Sequence, residues 1–231
     1  MGMIERAQTV AGSVFPVATE RAVSLIPGDP LLSDDPFRFG TTPRISGNVE
    51  AWVLSVAGPL LLMARRFGDL RGYFVETYSE RDFRAVGVMD RFVQDNQSLS
   101  ARAGTLRGLH FQLPPRAQAK LVRVLRGAIL DVAIDIRRGS PTFGRHVACR
   151  LSAEGAEQLY VPAGFAHGFL TLEPDTEVAY KVSDTYAPEC DRGIAWDDPD
   201  LALPWPGLPE GPLLSDKDRR HPRLRDLPDA F

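Results

Sequence analysis

The stretch from residue 120 to residue 182 constrains the fold more than any other. KLVRVL, AILDVAIDI, HVACRLS, QLYVP, HGFLTL and TEVAYKVS are short β-rich runs, divided by RG, SAEGAE, PAGFA and EPD. In LDVAIDI, Leu130, Val132, Ile134 and Ile136 share one parity, while Asp131, Ala133 and Asp135 share the other. This alternation predicts a half-buried strand, because successive side chains leave a strand on opposite faces. Many short strands at regular spacing with Gly/Pro turns between them predict an all-β sandwich or barrel. Upstream, AWVLSVAGPLLLMARRF reads as strands around a turn, FGDLRG as a turn, YFVETY as a strand and SERDFRAVG as a short helix. Beyond Pro188 the chain turns loop-like, with Trp196 and Trp205 as expected anchors. There is no internal repeat.

The 231 residues suffice for one large domain or one domain with an extension. Residues 1–48 stand apart. LIPGDPLLSDDPFRFGTTPRISG is rich in Pro, Gly, Asp and Ser and has no period of 2 or 3.6, which reads as a loop or a loosely attached arm. TVAGSVFPVATERAVSLI has room for a short helix. The expected division is a loop-rich N-terminal extension over 1–48 and a domain over 49–231.

A net charge of −3 provides no global positive field for nucleic acid or an anionic membrane. The apolar run GPLLLMA is stopped by Arg65 and Arg66, well short of a membrane span. Glu5 and Pro16 argue against a signal peptide, and the chain reads as cytoplasmic. Cys149 and Cys190 are too few for a disulfide framework and lack metal-ligand spacing.

Chemistry concentrates in the middle of the chain. No acidic residue lies between Asn96 and Leu130, whereas Arg102, Arg107, Arg116, Lys120, Arg123 and Arg126 all do. Guanidinium pairs phosphate bidentately, so the run suits an anionic ligand. Charge alone nevertheless favours the plainer reading, a solvated strand face. In LRGLHFQ, His110 follows Gly108 by two residues. A lone histidine in an apolar strand is more often a packed residue than a catalyst, but a strand glycine marks a bulge or close approach. Lys120, on the next predicted strand, can be brought alongside by LPPRAQA. A base beside a cation is what proton abstraction next to a carbonyl requires. Tyr180 shares parity with Val178 and Val182 and is expected to point inward. Gln112 stands where a cupin metal site would have the second histidine of His-x-His, and His146 and His221 are scattered. No bound metal is expected.

These segments together resemble the dTDP-4-dehydrorhamnose 3,5-epimerase family. The likeness rests on FGDLRGYFVETY, FVQDNQS, GTLRGLHFQ, QAKLVRVLRGAILDVAIDIRRGSPTFG, QLYVPAGFAHGFLTL, YKVSDTYAP, IAWDDPDLALPWP and LSDKD, in the family's order from about Val49 to Asp218. The resemblance implies a cupin-like double-stranded β-helix, a jelly-roll barrel with short peripheral helices, working as a homodimer without metal or cofactor. It implies a dTDP-4-keto-6-deoxyhexose substrate, inverted at C3 and C5 through enolates. By motif position, His110 is the base, Asp218 orients it, Lys120 holds the enolate oxygen and Tyr180 protonates the opposite face. Arg71, Glu76, Gln94, Asn96, Arg107 and Lys120 are assigned to nucleotide and sugar. Tyr186 is assigned to stacking on thymine, His167 to the sugar pocket, and Asp191 falls where many members have Glu. The strand bearing Arg71 and Glu76 is expected to reach across a dimer interface. The resemblance also gives the basic run a cause, a diphosphate.

Arg107 and His110 have opposite parity on an ideal strand, so a bulge or twist is expected near Gly108. One alternative, an epimerase that inverts C3 or C5 alone, keeps the same base and acid. A second is a sugar-nucleotide binder without catalysis, against which the full set His110, Lys120, Tyr180 and Asp218 argues, since binding alone needs no base and acid on opposite faces. A metal-dependent cupin is a third, opposed by the missing ligand spacing.

Overall fold

A computed structural model describes residues 42–228 and 231. The expected extension over 1–48 therefore falls largely outside the described residues, although Arg44–Ser46 forms the first strand of a sheet.

Among the described residues the strands are β1 (Arg44–Ser46), β2 (Val49–Val53), β3 (Leu60–Ala64), β4 (Arg66–Asp69), β5 (Gly72–Val75), β6 (Gln94–Ser100) and β7 (Leu106–Gln112). They continue as β8 (Lys120–Arg126), β9 (Ala128–Asp135), β10 (His146–Ser152), β11 (Glu157–Val161), β12 (Phe165–Thr171), β13 (Thr176–Val182) and β14 (Asp191–Gly193). One helix, α1 (Glu80–Val86), and two 3-10 turns, Asp218–Arg220 and Leu224–Asp226, complete the elements of the described residues. A seven-stranded sheet runs β1-β2-β3-β11-β8-β13-β6 and a five-stranded one β10-β9-β12-β7-β14, while β4 and β5 form a separate hairpin. The strand partners are antiparallel throughout. This is the expected all-β, cupin-like jelly roll.

Three apolar clusters hold it together. Between the sheets lie Val122, Val124, Ile129, Ala133, Leu159, Phe165, Phe169 and Val178. On the outer face of the large sheet, Phe83 and Val86 of α1 pack on Leu62, Leu121 and Tyr160. Ser79 caps that helix by accepting from the Asp82 N–H, and Gly87 closes it at φ 115°. On the outer face of the small sheet, Leu130, Val132, Ile134 and Ile136 are covered by the C-terminal segment through Leu201, Leu224, Trp205 and Phe231. Of the two expected anchors, Trp205 joins that layer, and its indole N–H donates to the Trp196 backbone carbonyl at 2.8 Å.

The third cluster corrects one reading. β9 is not half-buried: all eight of its residues are buried, Asp131 and Asp135 included. Its apolar parity faces the C-terminal layer, whereas Ile129 and Ala133 share the other parity with Asp131 and face the space between the sheets. Alternation reported two distinct faces correctly, but the polar one turned inward. A second correction concerns β8. The 113–119 connection does not lay β8 beside β7; it carries the chain from the small sheet to the large one, so β7 and β8 face each other.

Among the described residues no helix is long and apolar enough to cross a membrane. Cys149 and Cys190 are both buried free thiols.

Candidate active site

The inward parity of the central strands builds both the core and a cavity beside it. On β8, Val122 and Val124 fill the core and Lys120, two residues earlier, reaches the cavity. On β12, Phe165 and Phe169 flank His167, and on β13 Val178 precedes Tyr180. On β6, Gln94, Asn96 and Ser98 share the inner face and the residues between them are exposed. The resulting cavity has a volume of about 560 Å³, enough for a sugar nucleotide fragment.

His110 lines it. Its Nε2 is 2.6 Å from Asp218 Oδ1, which leaves Nδ1 as the ring nitrogen available to take a proton. Burial lowers the His110 pKa, and the Asp218 hydrogen bond and charge oppose that shift. The Asp218 side chain is almost fully buried. Burial alone would raise its pKa, yet the hydrogen bond from His110, together with the neighbouring His221 and Ser215, holds it well below the usual carboxylate range. Lys120 donates to the His110 carbonyl at 3.0 Å, and burial brings its pKa down to about 8. Burial likewise raises the Tyr180 phenol, keeping it protonated, against a lesser opposing pull from Arg107.

A second pair lies beside the first. His167 Nε2 is 2.6 Å from Asp131 Oδ1, and the Asp131 side chain is wholly buried. His167 is the direct cross-strand neighbour of His110.

The expected irregularity in β7 is present. His167 pairs with His110 and Phe169 with Arg107, so Gly168 of β12 stands opposite two residues, Gly108 and Leu109. The bulge reverses the parity, and Arg107 and His110 both line the cavity. Gly108 has φ 135°, and a β-carbon there would lie 2.5 Å from Gly168 Cα, so the close approach is strand backbone. The Arg107 guanidinium is held at the rim by Ser100 Oγ at 3.2 Å and the Leu99 carbonyl at 3.1 Å.

At the mouth, Tyr186 donates to Asp191 Oδ2 at 3.0 Å, and Lys217 pairs with the same oxygen. Gln112, which replaces a possible metal ligand, spends its amide on this loop. Its Oε1 accepts from the Ala187 N–H at 2.8 Å and its Nε2 donates to the Arg116 and Thr185 carbonyls. His110, Asp218 and His221 place three donor atoms within 4.8 Å of one another and are the described residues that could hold a metal ion. His221 is therefore not scattered, as its sequence position suggests, but adjacent to His110.

Of the residues singled out in the sequence, His110, Lys120, Tyr180 and Asp218 share one cavity with Gln94, Asn96, Arg107, His167, Tyr186 and Asp191. Arg71 and Glu76 do not line it. Arg71 sits at the tip of the β4–β5 hairpin, its side chain 91% exposed and paired with Asp69. Sequence reasoning missed Asp131, Gln112 and Lys217. Lys217 lay inside a recognised motif, LSDKD; Asp131 looked like the solvent face of β9.

The chain matches the model of the dTDP-4-dehydrorhamnose 3,5-epimerase family over residues 53–226. A dTDP-4-dehydrorhamnose 3,5-epimerase of Sinorhizobium fredii is 53% identical over 178 residues, 77% of this chain and 91% of that one. The crystal structure of the Bacillus anthracis enzyme with TDP and pyrophosphate bound is 52% identical at a TM-score of 0.70, covering 71% of this chain and 93% of that one. A Legionella pneumophila structure in complex with dTDP-4-keto-L-rhamnose is 42% identical at a TM-score of 0.74, covering 78% and 95%. With a coherent cavity built from the family's motifs and a match across three quarters of its length, the chain belongs to the dTDP-4-dehydrorhamnose 3,5-epimerase family.

Proposed function

We infer that this protein is an epimerase that converts dTDP-4-dehydro-6-deoxy-D-glucose to dTDP-4-dehydro-L-rhamnose by inverting C3 and C5. The observation that supports it most is the convergence of a carboxylate-oriented imidazole, a buried amine and a protonated phenol on one cavity. Both carbons flank the C4 ketone, whose carbonyl acidifies their protons. His110, with Asp218 behind it, takes a proton. Lys120 stabilises the enolate oxygen as charge moves onto it. Tyr180 returns a proton from the opposite face, which turns exchange into inversion. Each acid–base step of this kind contributes about 10²–10⁴-fold.

In this reading Tyr186 stacks on the thymine and Arg107 meets the diphosphate. His167, fixed by Asp131, lies against the sugar, with Gln94, Asn96 and Asp191 around the remaining polar groups. Arg71 and Glu76 act from a second copy in a homodimer. The hairpin that carries Arg71 exposes Leu70, Tyr73 and Phe74, an apolar surface suited to a protein interface.

Incubation with the substrate in deuterated water tests the assignment. Deuterium at both C3 and C5 is expected. Label at a single carbon would instead identify a mono-epimerase, and no label at all a binding protein.

A further inference from the structure

His221 has no part in the mechanism above, yet it is built into the back of the His110–Asp218 pair. Its ring meets that of His110 edge to face, with centroids 5.5 Å apart and an interplanar angle of 77°. Its Nε2 lies 3.5 Å from Asp218 Oδ1, the oxygen that His110 holds at 2.6 Å. The side chain is only 9% exposed, and Nε2 has no closer polar partner among the described residues. An under-satisfied buried nitrogen is costly and calls for a reason.

Gly193 makes room for this ring. A β-carbon there would lie 2.4 Å from His221 Nε2 and 2.5 Å from its Cε1. Gly193 is also the β14 residue directly opposite His110. The sheet edge and the C-terminal segment thus cooperate to seat a second imidazole on the carboxylate that orients the first.

We propose that His221 is a positioning residue that sets the strength of the His110 base through Asp218. The inference rests on His110 being the base. Sharing one carboxylate oxygen between two imidazoles divides its negative charge. The ring also excludes water from Asp218, so the division is made by protein groups alone. The other charged or titratable groups around His110 are Arg107 on β7, Lys120 on β8, His167 on β12 with Asp131 of β9 behind it, Tyr180 on β13, Tyr186 and Asp191 at the mouth, and Lys217 beside Asp218. Substitution of His221 leaves these in place.

The test compares His221→Leu with His221→Gln. Leucine keeps the space filled and removes the polar atom, whereas glutamine can return an N–H to the same oxygen. His110 is titrated by nitrogen–proton NMR, and kcat/KM is measured against pH in parallel. In His221→Leu the full charge of Asp218 falls on His110, so its titration and the acid limb should move up by roughly 0.5–1 pH unit. His221→Gln should restore most of the wild-type value. Gly193→Ala, which displaces the ring without altering it, should shift the titration in the same direction as His221→Leu and provides an independent route should that variant fold poorly. An unchanged His110 titration in these variants, or equal shifts in His221→Leu and His221→Gln, overturns the proposal. A His110 titration that moves while the acid limb stays fixed supports the coupling and counts against His110 as the base, so the two failures are distinguishable.

Discussion

At the scale of single residues, the site consists of groups held away from their ordinary protonation behaviour. In the proposed mechanism His110 must be neutral to act as a base, and burial lowers its pKa below the usual imidazole value of 6.5. Lys120 in the same mechanism must be charged to hold an enolate, and burial brings its pKa down to about 8. The dependence of kcat/KM on pH should therefore be bell-shaped, with an acid limb below 6.5 from His110 and an alkaline limb near 8 from Lys120. Single-turnover exchange of the C3 and C5 protons across this range measures both limbs. His110→Ala should lose about 10²–10⁴-fold in exchange at both carbons, while Tyr180→Phe should damage inversion more than exchange. Wild-type exchange in His110→Ala would remove the assigned base. Lys120 carries a second consequence. Its folded-state pKa lies below the ordinary lysine value of 10.5, so the folded chain binds fewer protons than the unfolded chain between about 8 and 10.5. The buried amine therefore destabilises the fold at neutral pH, and the penalty fades as pH rises through that window. Lys120→Met should abolish epimerisation and raise the free energy of unfolding at pH 7, with the gain shrinking above pH 8. Chemical denaturation at pH 7 and pH 9.5 checks it.

At the scale of elements, the β7–β12 bulge decides whether the site exists. Two glycines meet there: a β-carbon on Gly108 would lie 2.5 Å from Gly168 Cα, and one on Gly168 would lie 2.8 Å from the Arg107 carbonyl. Gly108→Ala also forces a side chain onto a residue at φ 135°. The substitution should destabilise the protein by about 1–3 kcal/mol through overpacking and strain. Because it pushes β7, which carries both Arg107 and His110, away from β12, which carries His167, it should reduce kcat/KM by more than the loss of folded protein explains. Activity per folded molecule, calibrated by circular dichroism, separates the two effects. The bulge was legible in the sequence because Arg107 and His110 could not otherwise share a ligand. Tyr180 was legible from its parity with Val178 and Val182. β9 was not. Its apolar parity is covered by residues from Leu201 onward, and no local period announces which distant segment will cover a strand. Asp131, on the other parity, consequently looked like a surface residue, although it is buried against His167. His221 was unreadable for a related reason: its partner Asp218 and its seat at Gly193 are joined only by the return of the C-terminal segment to β7. Local periodicity reports the faces of a strand, and the chain's later course decides which face is inside.

At the scale of the whole molecule, the chain's cavity is lined by most of the residues proposed to bind substrate, while Arg71 and Glu76 lie on and just beyond the β4–β5 hairpin. The hairpin is anchored at its base, where Arg66 donates to the Ala153 and Glu154 carbonyls, both at 2.5 Å. Toward its tip, Leu70 is fully exposed, and Tyr73 and Phe74 are more than 60% exposed. An isolated two-stranded ribbon is marginal in water, and exposed aromatics on it are a liability unless another surface covers them. If that surface belongs to a second copy related by a two-fold axis, each cavity is completed by its partner's Arg71 and Glu76. This arrangement has a distinctive genetic signature. Arg71→Ala leaves a chain with an intact cavity and a defective hairpin; His110→Ala leaves the reverse. Each homodimer should be nearly inactive. In a randomly assorted one-to-one mixture, half the dimers are mixed, and each mixed dimer holds one site with both Arg71 and His110 and one site with neither. Co-expressed chains should therefore recover roughly a quarter of wild-type activity. If Arg71 instead served the cavity of its own chain, no assortment would unite it with His110 from the other variant, and the co-expressed mixture would stay as inactive as its parents.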